Sequence, residues 1–115
     1  MNSWLYILDE FKPLNVSYDE ILHYLDKDPV KLLKLVLVAM DGELGDVENY
    51  RVYDVYRDPG EKELLIELLI SCSIGEILAK IIASPNPQET LRKYYEREES
   101  RKHGVETVLS TRTDT

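Results

Sequence analysis

Four carboxylates fall within eight positions, Asp41, Glu43, Asp46 and Glu48. Oxygen ligands so closely spaced are what a hard divalent cation takes. Gly42 and Gly45, however, do not stand where a calcium loop turns, and no bidentate Glu closes the loop. The segment reads as a solvated loop, and no metal ligand is assigned. Arg97 and His103 are separated by five residues near the end of a charged helical pattern. Beside Gly104, His103 suits a helix C-terminus, where the dipole favours its charged form. His23 sits in an apolar helical pattern with no other His or Cys at metal spacing, so it reads as a packed or surface imidazole. The single cysteine, Cys72, lies in an apolar stretch and reads as core. The chain has no Ser-His-Asp set, no phosphate-cradling glycine loop and no dinucleotide fingerprint, so no cofactor is expected.

Tyrosine is the more suggestive residue. Tyr50, Tyr53 and Tyr56 recur every third position, which on a helix makes a stripe along one side. Tyrosine combines large contact area, few rotors and a polar tip, so such a stripe serves a protein interface or packs between neighbouring helices. Around it the charge is strongly negative. Residues 41–63 carry eight acids against Arg51, Arg57 and Lys62, whereas residues 92–102 carry five bases against three acids. The whole chain has a formal net charge of −8, which argues against nucleic-acid binding because phosphate neutralisation needs a basic face.

The elements that would position these groups come from punctuation. Ser17-Tyr18-Asp19-Glu20 is a capping box opening a helix that buries Ile21, Leu22 and Leu25. Asp28-Pro29 opens the next, apolar around most of its wheel, and Asp41-Gly42 stops it. Thirty residues later Asp58-Pro59 repeats the opening, and Leu44-Gly45-Asp46-Val47 is echoed by Ile74-Gly75-Glu76-Ile77. Asn86-Pro87 starts a last polar helix. A short helix over 3–11 and a disordered tail over 104–115 complete the pattern, so residues 1–103 are expected as one helical domain. The fold expected is all-α, a small stack of antiparallel helical hairpins. The alternative is α+β, with a β-hairpin at about 50–72. It rests on the strand propensity of Tyr50, Val52, Tyr53, Val55 and Tyr56, on a turn at Asp58-Pro59-Gly60-Glu61, and on the alternation Leu64, Ile66, Leu68, Ile70, Cys72.

Helix pairs of about thirty residues with a helix-opening Pro and a small residue at the turn resemble tetratricopeptide-type arrays over residues 28–86. That resemblance implies a concave surface for a partner protein. It transfers no binding residue, because the family's Trp, Tyr, Ala and Phe positions are not reproduced. The Arg97–His103 spacing, separately, resembles that of compact helical ribonucleases of the HEPN type, which implies metal-independent RNA cleavage at a dimer interface. Glu98 replaces the polar residue that usually follows the Arg.

The leading expectation is a non-catalytic, acidic adaptor or regulatory module that binds another protein with a basic surface through Tyr50, Tyr53, Tyr56, Asp46, Asp54 and Glu61. The alternatives are the small dimeric ribonuclease using Arg97 and His103, or a virus- or plasmid-encoded inhibitor of a host protein. The stretch Leu64 to Ala83 is apolar on nearly every side and could be covered by a second copy, giving a homodimer. No apolar run spans a bilayer and no basic leader precedes the first one, so a cytoplasmic protein is expected, consistent with one unpaired cysteine. Few Gln, Asn and Cys with many Glu, Lys, Ile and Tyr resemble thermophile usage.

Overall fold

The computed structural model describes the backbone of residues 3–113 and the side chains of residues 3–101. Ser3, Leu5 and Ile7 are buried while Trp4 and Tyr6 are half-buried, and that alternation makes β1 (Ser3–Ile7) a strand. Leu8 and Asp9, both at positive φ (49° and 62°), turn the chain into β2 (Glu10–Leu14). The capping box then works as its residues require: Ser17 Oγ accepts the Glu20 N–H at 3.1 Å and starts α1 (Tyr18–Lys27). Pro29 precedes α2 (Val30–Met40), which stops where Asp41 enters the left-handed region. Three strands follow, β3 (Val47–Asp58), β4 (Glu63–Cys72) and β5 (Gly75–Ala83). Asn86 Oδ1 accepts the Glu89 N–H at 3.2 Å and opens α3 (Pro87–Thr113), whose side chains are described only to Arg101. The tail expected from residue 104 falls on that undescribed part.

The fold is therefore α+β, not the all-α stack of helical hairpins. One five-stranded sheet, ordered β2-β1-β5-β4-β3 with every described pairing antiparallel, carries all the strands. Neither a helical repeat nor a tetratricopeptide-like array is present among the described residues. Residues 50–72 form the hairpin weighed as the alternative. The error has a physical source, since Pro, Gly and Asp mark an interrupted chain without saying which element was interrupted. At 58–62 they make a β-turn: Asp58 Oδ1 accepts the Glu61 N–H at 3.3 Å and Pro59 O accepts the Lys62 N–H at 3.3 Å. The echoed Gly45 and Gly75 both sit at positive φ (66° and 111°), and both lead into strands. A Cβ on Gly45 would stand 2.6 Å from Ser73 Oγ, so glycine is required there for space as well as for conformation.

Each face of the sheet has its own core. Leu64, Ile66, Leu68, Ile70 and Cys72 of β4 point to α1 and α2, where Ile21, Leu32, Leu33, Val36 and Met40 cover them. The intervening Leu65 points the other way, to Leu91 and Tyr94 of α3, with Ile82 beside it. A central strand covered on both faces loses its polar alternation, and for that reason 64–72 looked apolar all round.

Candidate functional site

Charge lies buried between the sheet and α3. Glu63, Glu67 and Lys80 are all under 9% exposed, and each alternates with aliphatic neighbours that face the same or the opposite core. Pairing Glu67 with Lys80 across β4 and β5 brings Lys80 Nζ to 2.9 Å from Glu67 Oε2, while the Tyr94 hydroxyl donates to Oε1 at 2.8 Å. Glu63 accepts from Lys93 Nζ at 2.7 Å and from the Thr90 hydroxyl. Arg97 reaches down to β3, donating from Nη2 to Asp54 Oδ2 at 2.8 Å and from Nη1 to Val55 O at 3.2 Å. Its guanidinium lies over the rings of Tyr56 (5.4 Å) and Tyr94 (5.3 Å), with Nε buried and without a hydrogen-bond partner.

These contacts shift the groups involved. Burial first, then the Glu67 carboxylate, pushes the Tyr94 hydroxyl well above the usual tyrosine range. Burial opposes the charge on Asp54. Hydrogen bonding with Glu98 and to the Val55 N–H, the Arg97 cation and the Tyr94 hydroxyl outweigh it and hold the carboxyl below its usual value. Each carboxylate of this layer is already matched to a cation or a hydroxyl, which suits it to fastening α3 to the sheet.

Among the described residues no helix side chain covers the opposite end of the same sheet face. Register sets Arg51, Leu69 and Leu78 side by side across β3, β4 and β5, and Asn49, Ser71 and Glu76 in the next row. Leu78 is 39% exposed, Ile74 in the adjoining turn 52% and Tyr53 51%. The Arg51 guanidinium lies 5.2 Å from the centre of the Tyr53 ring, which puts that ring on this face. Acid closes the end of the patch. Asp46 is tied to the β4–β5 turn, its N–H donating to Ser73 Oγ at 2.9 Å and its carbonyl accepting the Ser73 N–H at 3.0 Å. Exposed Asp46 is thereby held at the turn that carries Ile74.

The tyrosine stripe does not exist as such. β3 bulges between Val52 and Asp54, so Tyr53 is an extra residue in the ladder. Tyr50 packs into the core under α1 and α2, Tyr53 is exposed on the open face, and Tyr56 packs beneath α3. Asp54 belongs to the buried layer, Asp46 borders the open end, and Glu61 is exposed in the β3–β4 turn at the far end of β3. Arg97 is engaged with Asp54, and the His103 side chain lies outside the described residues. His23 is exposed in a shallow hollow with Asp19, Asp26 and Arg57. Cys72 is buried, its thiol 3.4 Å from Gly75 O. Among the described residues no three of His, Cys, Asp or Glu converge on a point where an ion could sit. Glu67 and Lys80 went unnoticed in the sequence, although charges inside otherwise apolar runs signal partners of opposite sign.

Among the described residues no helix is long and apolar enough to cross a membrane. No family model matches the chain, and no curated protein or solved structure matches it.

Proposed function

We propose that this chain is a non-catalytic protein–protein interaction module whose contact surface is the uncovered end of the sheet and its acidic border. The observation that carries the reading is the row Arg51–Leu69–Leu78 with Tyr53 and Ile74 beside it, an aliphatic and aromatic patch that no described side chain of another element covers. Exposed Asp46 at the β4–β5 turn and Glu76 in the next row border it and favour a partner with a basic surface, steering association more than adding affinity. Tyr53 is the expected anchor, being rigid, half-exposed and stacked by a guanidinium.

Affinity capture from an extract of the source cell, comparing the native chain with Tyr53→Ala and Leu78→Ser, tests this. Both positions are exposed, so the variants keep the native circular dichroism while one captured partner is lost and its retention falls with salt. Equal capture by all three proteins would remove the open face from consideration. The homodimer expected through Leu64 to Ala83 has less surface to offer than the sequence implied, because most of β4 and β5 is buried within the chain. Leu78 and Ile74 are the large apolar side chains of that stretch left exposed for a partner.

A further inference from the structure

We infer a second binding site, independent of the open sheet face: the trough between α2 and the end of β2, which takes an acidic, aliphatic segment of a partner protein. Leu32, Leu33, Val36 and Met40 turn the core side of α2 inward. A second stripe, Lys31, Lys34, Leu35 and Val38, follows the same helical spacing on another side; Leu35 is half-buried and the other three are exposed. Val38 is 80% exposed in the last turn of α2, the largest exposure of any large apolar side chain described. Leu14, Val16 and Tyr24 form the facing wall, enclosing about 610 Å³ that stays open along one side. An open trough buries little of a small molecule, whereas a segment carried by a larger body can lie along it.

Charge selects the occupant. Among the described residues no carboxylate lines the trough, and its rim carries two cations. Neither Lys31 nor Lys34 has an ion-pair partner among the described residues, and Lys31 rests over the Tyr24 ring at 5.4 Å. Two lysines above an aliphatic floor match carboxylates flanking a Leu, Ile or Val, and they are too few for a phosphate backbone. The net charge of −8 does not forbid an acidic segment, since at about 0.1 M salt charges beyond about 10 Å are screened. Recognition runs through side chains, because Pro13 removes a backbone donor from the neighbouring edge strand.

A random-peptide display library panned on the full chain tests the assignment. Enriched peptides should combine Asp or Glu with Leu, Ile or Val and shift the methyl resonances of Leu35 and Val38. Their affinity should fall about tenfold in the Lys31→Gln/Lys34→Gln double variant, two exposed charge contacts being lost. Val38→Ser should weaken them as well. All three positions are exposed, so the fold is retained. Enrichment of basic or aromatic peptides, no enrichment, or affinity unchanged in the double variant would overturn it. Peptides that map to Tyr53 and Leu78 alone would also overturn it, while supporting the open-face reading.

Discussion

Lys80 and Glu67 illustrate how a charge inside the protein behaves as half of a unit. Their side chains are 8% and 4% exposed, so each depends on the other for the solvation it has lost. Lys80→Met should destabilise the fold by about 3–5 kcal/mol, because Glu67 is left buried with only the Tyr94 hydroxyl. The double variant Glu67→Leu/Lys80→Met should cost less than that single one, and urea unfolding of both separates the cases. Asp54 gives a pH dependence. A carboxyl whose folded pKa is depressed contributes stability above its unfolded value, about 3.9, and loses it as pH falls through the lower folded value. The stability gap between the native chain and Asp54→Asn should thus be full at pH 7 and close below pH 4. A gap independent of pH would show that the Arg97 contact acts by packing alone.

At the level of elements, β3 decides which tyrosine does what. Val52 pairs with Leu68 and Asp54 with Glu67, so Tyr53 is surplus to the ladder. Deleting Tyr53 should therefore leave a regular strand with Asp54 still under Arg97 and Tyr56 still under α3. Its melting temperature should shift by no more than a few degrees, and partner capture should be lost. A large drop in melting temperature would mean that the bulge supports the fold rather than presenting a ring. This bulge and a second between Val47 and Asn49 also guard the edge, since the Tyr50 and Val55 N–H groups are taken by the side chains of Asn49 and Asp54, both at 2.8 Å. Local signals were legible wherever one residue caps a helix from within its own turn: Ser17 and Asn86 by a side-chain oxygen, Asp41 by its backbone N–H in the left-handed region. What could not be read was β4 against β5. Leu65 and Leu69 break its alternation only because α3, more than twenty residues further on, and a neighbouring strand supply a second environment. Tyr50, Tyr53 and Tyr56 fit a helix period by spacing alone, and the bulge at Tyr53 sends Tyr50 and Tyr56 to opposite faces.

For the molecule as a whole, α3 is joined to the sheet by a small apolar contact and a larger polar one. Leu91 and Tyr94 meet Leu65 and Ile82, while Lys93, Arg97 and Arg101 reach Glu63 and Asp54. At about 1 M salt the screening length shrinks to about 3 Å, so amide exchange over residues 90–98 should quicken several-fold while β4 and β5 stay protected. Uniform quickening would show that helix and sheet open together. The register of β1 carries a consequence for synthesis. Ser3 pairs with Ala83 and Tyr6 with Lys80, so β1, made before the other described strands, waits for β5. At about 5–20 residues per second, the ~80 residues between them take roughly 4–16 s to make. During that interval Leu5 and Ile7 have no lasting cover, and β5 arrives as the keystone between two hairpins already made. The nascent chain is thus most open to chaperones, and to mispairing with its neighbours, until Ala83 emerges.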